Sequence, residues 1–223
     1  TGASALYANT TGDSNTADGY YALVNNTTGD SNTADGYQTL KSNTTGTQNS
    51  AFGYRALYSN TTGSYNTATG YNALFSMVSG TYNVGIGYES LYNSTHAGNV
   101  GLGYRSGYGN ATGAYNTFIG YNARATTGYN YSTAIGYNSI TTASNQIMLG
   151  TATETVTIPG NLSLTGTLNS ITATEIGYLD GVTSNIQTQL NAAISGGVTS
   201  LDGLSDVKFG GTNFSSSLLI GNT

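Results

Sequence analysis

The chain has 223 residues, only 7% of them charged, with 32 Gly, one Pro, no Cys and a net charge of −5. Without Cys there is no disulfide framework and no thiolate metal site, and five Lys and Arg cannot lay down the basic stripe that nucleic acid requires. No apolar run reaches the ~20 residues of a membrane-spanning helix, so membrane insertion is not expected, and charge and Pro are too sparse for a disordered polar chain.

From the first residues onward one dipeptide recurs. Gly-Tyr stands at 19–20, 36–37, 53–54, 70–71, 87–88, 103–104, 120–121 and 136–137, in steps of 17 and later 16 or 17 residues. Gly2 lies 17 residues before Gly19, with Ala3 in the Tyr place, so about nine copies fill residues 1–150. A fixed period of this length marks a stack of like units. It predicts an all-β repeat protein, a parallel β-roll or β-solenoid of about nine 16–17-residue coils. At ~4.8 Å per coil the rod is roughly 43 Å long.

Numbered from the Gly, each coil reads G-Y-x-A-L-x-x-N-T-T-G-x-x-N-T-A-x, most clearly at Gly53–Thr69. Position 4 is small throughout, from Ala5 and Ala22 to Ser139, and position 5 holds Leu6, Leu23, Leu40, Leu57, Leu74 and Leu91. Ala at position 16 and the next Gly lie two apart and share a strand face, which predicts a thin interior. Position 17 then points outward: Asp18, Asp35, Phe52, Thr69, Ile86, Leu102, Ile119 and Ile135. The late coils so acquire an apolar outer row, which needs cover, and a further copy of the chain is the simplest cover. The same conclusion follows from one Tyr, one Leu and two Ala per coil, too little apolar surface to offset the ordering of 17 residues. A homotrimer is expected, with Phe52, Ile86, Leu102, Ile119 and Ile135 at its interface.

Asn at position 14 (Asn15, Asn32, Asn49, Asn66, Asn83, Asn99 and Asn116) predicts an amide ladder along the stack. The Asn-Thr-Thr-Gly runs at 9–12, 26–29, 43–46 and 60–63 read as turns that exploit the positive φ open to Asn and Gly. Each coil is then two short strands and two turns. Tyr20, Tyr37, Tyr54, Tyr71, Tyr88, Tyr104, Tyr121 and Tyr137 form a stacking ladder whose first role is to pack coil on coil. Tyr58, Tyr65, Tyr82 and Tyr115 lie outside it, are expected to be more exposed, and are candidate glycan contacts.

The period stops near Gly150. Thr151–Ile158 alternates around Val156 and Ile158 as a short strand would, and residues 151–171 are read as a β transition segment. Thr172-Ala173-Thr174-Glu175 has the form of a capping box. Residues 172–195 are read as a helical coiled-coil neck, with Ile186, Leu190 and Ile194 on one apolar stripe. Ile at such positions is compatible with three strands. Residues 196–223 are a Gly/Ser-rich β segment whose end, Ser217–Thr223, looks like the start of a further repeat block. The repeat is already under way at Thr1, so the chain reads as a piece of a longer protein.

Chemistry is thinly represented. His96 is the only histidine, which limits triads and multi-His metal sites; it reads as an exposed residue of a contracted coil. Asp13, Asp18, Asp30 and Asp35 are weak candidates for a Ca²⁺ site, but the Asp pairs end after two coils and the Gly-Gly-x-Gly-x-Asp pattern of calcium β-rolls is absent. A solvated acidic face is the expected reading, with no metal and no cofactor. Glu89, Glu154 and Glu175 are far apart, whereas a glycosidase pair must close to ~5–10 Å. The sequons at Asn9, Asn26, Asn43 and Asn60 are read as turn chemistry.

Asn49-Ser50-Ala51-Phe52-Gly53 and Ser132-Thr133-Ala134-Ile135-Gly136 resemble the head repeat of trimeric autotransporter adhesins. That resemblance implies a left-handed, trimeric parallel β-roll, although the head repeat is 14 residues and the coils here are longer. The 17-residue Asn-Thr-Thr-Gly form is more similar to repeats of bacteriophage tail fibres over residues 1–150. The segment TATEIGYLDGVTSNIQTQLNA resembles a connector of the same fibres. These likenesses imply a non-enzymatic, virion-borne tail-fibre segment that mediates or supports attachment to a host-surface glycan or protein, alongside other tail or virion proteins. The alternative is the head of a cell-anchored bacterial adhesin. An ice-binding solenoid, which needs a Thr-x-Thr row on a strand face, and a polysaccharide depolymerase are weaker alternatives.

Overall fold

The computed structural model describes residues 2–160 and two short segments, 208–209 and 212–213. Residues Thr1–Thr157 form one compact unit and Ile158–Thr223 a second. In the first, three-residue strands recur once per coil: β1 (Thr16–Asp18), β2 (Thr33–Asp35), β3 (Ser50–Phe52), β4 (Thr67–Thr69), β5 (Val84–Ile86), β6 (Val100–Leu102) and β7 (Thr117–Ile119). After β8 (Arg124–Ala125) come β9 (Thr133–Ile135), β10 (Ile140–Thr141) and β11 (Ile147–Leu149). The order β1-β2-β3-β4-β5-β6-β7-β9-β11 makes one nine-stranded parallel sheet. The fold is a parallel β-solenoid with coils of about 17 residues, as the period requires, and about eight turns where about nine were expected.

Register is set by the repeat itself. Ala17 pairs with Ala34, Ala34 with Ala51 and Ala51 with Ala68, so each slot meets its own equivalent one coil on. Ala34, Ala51, Ala68 and Ala134 are fully buried, as are Leu23, Leu40, Leu57, Leu74 and Leu91 opposite them. The interior is as thin as the small residues predict: a Cβ added at Gly85 would lie 3.0 Å from Leu74 Cγ. Where position 5 becomes Gly107, position 16 becomes the buried Phe118, and a Cβ on Gly107 would lie 2.7 Å from Phe118 Cδ2. One large side chain has changed walls to keep the core filled.

Three sequence expectations are corrected. First, most coils contain one strand, not two. The Gly-Tyr-x-Ala-Leu side is built from left-handed residues, with φ of 48–54° at Leu23, Leu40, Leu57, Leu74 and Leu91 and 53–54° at Gln38 and Arg55. Such φ values are uncommon for side-chain-bearing residues. They hold here because neighbouring coils take the backbone groups: Leu40 N–H donates to Ala56 O at 3.0 Å and Arg55 N–H to Tyr37 O at 2.9 Å. A strand pair on this side, β8 with β10, forms only in the last coils.

Second, the position-1 glycines do not share the inner strand face. They form an axial column at φ of 117–135° for Gly19 through Gly136. A Cβ on Gly36 would sit 2.3 Å from Gly53 O of the next coil, so any side chain there would push the coils apart.

Third, the Asn and Gly of the Asn-Thr-Thr-Gly runs do not adopt positive φ. Those Asn side chains turn inward and build a second amide ladder. Asn43 Nδ2 donates to Asn26 Oδ1 at 2.7 Å and to Gly46 O at 3.0 Å. The Thr hydroxyls bond backbone one coil on, as in Thr27 Oγ1 to Thr44 O at 2.9 Å. The expected position-14 ladder is present beside it: Asn49 Nδ2 donates to Asn32 Oδ1 at 3.1 Å and to Gly63 O at 2.8 Å. The same Asn32 Oδ1 accepts the Asn49 N–H at 3.0 Å. Buried amides are tolerable because these donors and acceptors find one another.

Past β11 the strand expected around Val156 and Ile158 does not form, and both side chains are exposed. A turn closes residues 151–154, where the Thr151 N–H and hydroxyl both donate to Glu154 Oε2. In the second unit β12 (Lys208–Phe209) pairs antiparallel with β13 (Thr212–Asn213), inside the 196–223 segment. The rest of the 151–171 segment beyond residue 160, and the neck at 172–195 with Ile186, Leu190 and Ile194, lie outside the described residues. Among the described residues there is no helix.

Candidate functional site

Three surfaces run the length of the solenoid. The first is the outer face of the strands. Side chains at positions 15 and 17 flank each buried position 16, so the row Asp18, Asp35, Phe52, Thr69, Ile86, Leu102, Ile119 and Ile135 points away from the core, as expected. Phe52 is 40% exposed, Ile86 38%, Leu102 45% and Ile135 39%, while Ile119 is half-buried. Leu149 of β11 extends the row at 45%. Val84, Val100 and Ile147 stand beside it at position 15, where the other strands of the sheet carry Thr or Ser. Thr-x-Thr on a strand occurs only in β4 among the sheet strands, so the regular Thr-x-Thr array of an ice-binding face is not there.

The second surface carries the tyrosines. From Tyr20 to Tyr137 the eight rings stack with centroids 4.8–5.5 Å apart and interplanar angles of 5–20°. The ladder expected from the sequence is therefore present, and its members remain exposed. Beside it runs a second column that the sequence reading did not find. Tyr58, Phe75, Tyr92 and Tyr108 stack at 5.0–5.3 Å. Their common slot, position 6, could have revealed it. Tyr58 is thus half-buried and does not stand apart as the exposed aromatic expected.

Between the two columns lies position 3. Arg55 Cζ is 5.1 Å from the Tyr54 ring centre and 5.3 Å from that of Tyr58. Arg105 sits likewise, 5.5 Å from Tyr104 and 5.0 Å from Tyr108. Cations this close to aromatic rings are held electrostatically. Arg105 Nε also donates to Glu89 Oε2 at 2.7 Å, and that bond raises the Arg105 pKa. The phenols of Tyr88 and Tyr92 are pushed up by desolvation and by neighbouring charge, Glu89 included. They stay protonated donors at neutral pH.

The third surface is the turn before each strand. Tyr65 stacks on Tyr82 at 5.0 Å and Tyr115 on Tyr131 at 5.3 Å, with Gly98 between the two pairs. All four are exposed, Tyr82 at 63%, so three of the four candidate glycan tyrosines lie here. Asp13 and Asp30 share this turn, and Asp30 Oδ1 accepts the Asp13 N–H at 2.8 Å. Asp18 and Asp35 are register partners on β1 and β2. Among the described residues no group of three or more His, Asp or Glu gathers where it could hold a metal. His96 is exposed and its Nδ1 meets Thr95 Oγ1 at 3.0 Å. An apolar hollow of about 280 Å³ near the end of the solenoid is lined by Asn138, Ile140, Met148, Gly150, Thr151 and Ala152. It contains no carboxylate, histidine or amine of its own.

In comparisons with known proteins, no family model, curated protein or solved structure matches the chain.

Proposed function

We propose that the chain is a length of non-enzymatic attachment fibre, assembled from three copies and most similar in role to a bacteriophage tail fibre. The observation that carries this reading is the outward row Phe52, Ile86, Leu102, Ile119, Ile135 and Leu149 on the parallel sheet, apolar without a break from Ile86 onward. An apolar strip of this kind calls for cover. Every other copy of the chain carries the same strip at the same spacing. A closed cyclic arrangement covers each strip while leaving the tyrosine columns outside. The resemblance of the repeat and of the 172–192 connector to tail-fibre segments supports the virion setting. The long, repetitive exterior suits a polymeric surface receptor better than a single buried ligand.

Light scattering on the purified chain tests the assembly. The reading expects three times the 22.9-kDa chain mass; a lone 22.9-kDa particle sinks it. Competition tests attachment: the purified trimer should reduce adsorption of particles that carry the full fibre, and unchanged adsorption at saturating trimer counts against an attachment role.

A further inference from the structure

Charge is distributed unevenly around the solenoid. Lys41, Arg55, Arg105 and Arg124 are the only Lys and Arg of residues 2–160, and all four fall between a Gly-Tyr and the following turn. Asp13, Asp18, Asp30 and Asp35 fall on the turn before the strand or on the strand itself. Arg105 is neutralised by Glu89. Lys41 and Arg55 meet no carboxylate among the described residues. Lys41 Nζ donates to Tyr58 OH at 3.1 Å and lies 5.1 Å from that ring's centre. Arg55 approaches the same ring and donates through Nε to Gln38 Oε1 at 2.9 Å. Both stems are half-buried against the aromatic columns, so the two charges are held in place, and the rest of their N–H groups are left to donate outward.

The stacking decides what else this face can offer. From Tyr37 to Tyr121 each ladder ring has a neighbour on both sides, 4.8–5.5 Å away. Their faces are occupied, yet each is 36–49% exposed. What faces solvent is therefore the ring edge and the phenol. The edge is the positive part of the aromatic quadrupole, and the phenol is a hydrogen-bond donor. Sugar rings cannot lie flat on these tyrosines. An oxygen-rich, negatively charged chain laid along the column finds positive edges, a donor in every coil and two cations without carboxylate partners. The coil spacing is also close to the advance per sugar in an extended polysaccharide.

We propose that the Gly-Tyr side, centred on Lys41, Arg55 and Tyr58, binds an acidic polysaccharide whose carboxylates meet Lys41 and Arg55 and whose hydroxyls meet the tyrosine edges. This names the ligand class for the attachment role above and rests on that role. Polygalacturonate, neutral dextran and double-stranded DNA are titrated against the full chain at one ionic strength, with its mass checked by light scattering in the same buffer. Polygalacturonate should bind and dextran should not. The double variant Lys41→Gln/Arg55→Gln should lose about tenfold or more in affinity, the scale of a charge-assisted contact, with mass and melting temperature unchanged. The charge-preserving pair Lys41→Arg/Arg55→Lys should retain binding, which guards against a folding defect in the first variant. Asp35→Asn, on the strand face, should leave affinity unchanged. DNA binding as tight as polygalacturonate, equal binding of dextran, or full affinity in the Gln double variant overturns the proposal. A trimer that ignores polygalacturonate removes only this ligand, whereas a monomer removes the fibre reading itself.

Discussion

The coils before residue 70 and those after it share one register and one small-residue interior, and differ most on the outside. In the early coils the strand row runs Asp18, Asp35, Phe52, Thr69; in the late coils it runs Ile86, Leu102, Ile119, Ile135, Leu149. The inner amide ladder also changes. Asn9, Asn26, Asn43 and Asn60 continue one another without a gap, and then the slot passes to Met77 and Ser94 before Asn110. Asn60 Oδ1 is consequently left buried without a donor, and so is Asn110 Oδ1. The 16-residue steps begin in the same region. The lesson is that the interior tolerates few residues per slot because each must fit its own copy above and below, whereas the exterior is free to vary and is where the coils become specialised.

The largest effect should come from breaking what the two halves share. Gly36→Ala places a Cβ against Gly53 O at a φ of +133°. It should destabilise the solenoid by about 3 kcal/mol or more, read as a lower denaturation midpoint. Next is Asn49→Ala. It removes two donated bonds and orphans the Asn66 N–H, which Asn49 Oδ1 accepts at 3.0 Å. A loss of about 2–4 kcal/mol is expected, and a loss under about 1 kcal/mol would show that the ladder is incidental.

The outer row separates the halves. Ile119→Asp or Ile135→Asp should weaken assembly, seen as a shift towards monomer mass on dilution, whereas Asp35→Asn, where the row is still polar, should not. A late-row variant that remains trimeric with unchanged melting rules out an intersubunit role for that row. Met77→Asn should run the other way and make the late half more like the early one. It supplies the donor that Asn60 Oδ1 lacks and should stabilise by about 1 kcal/mol. The smallest effect is at the end of the stack. The Glu154 carboxyl is held below its usual value by its bonds from Thr151. Its contribution is therefore present above the ordinary Glu range and lost as pH falls through the lowered folded value. A lower protection factor for the Thr151 amide on acidification, with protection in the rest of the solenoid unchanged, is the expected signature.

Much of this was legible from the sequence because a stacked fold writes its register into the period. The inward Ala and Leu slots, the position-14 amides and the tyrosine ladder all follow from placing residues one coil apart. What escaped depends on partners that local sequence does not show. Leu40 at positive φ is unremarkable as a residue; only the Ala56 carbonyl one coil on makes that backbone acceptable. Asn26 looks like turn chemistry until Asn9 and Asn43 are set above and below it. Val156 and Ile158 alternate as a strand should, yet the stretch around them forms no strand. Of the candidate surfaces, the apolar row was visible in the variable slot 17, while the Lys41–Tyr58–Arg55 cluster needed position 6 to be read as a column.

The glycine column has a consequence for how such a rod can change in length. Because the carbonyl of each coil nests where the preceding coil's Cβ would be, neighbours dock through atoms that every repeat supplies identically. A whole period can therefore be inserted or deleted without altering either new junction, and reach can be adjusted in increments of one layer. A partial unit would instead throw amide, phenol and glycine out of line at once, so duplication of complete modules is the route by which this architecture grows.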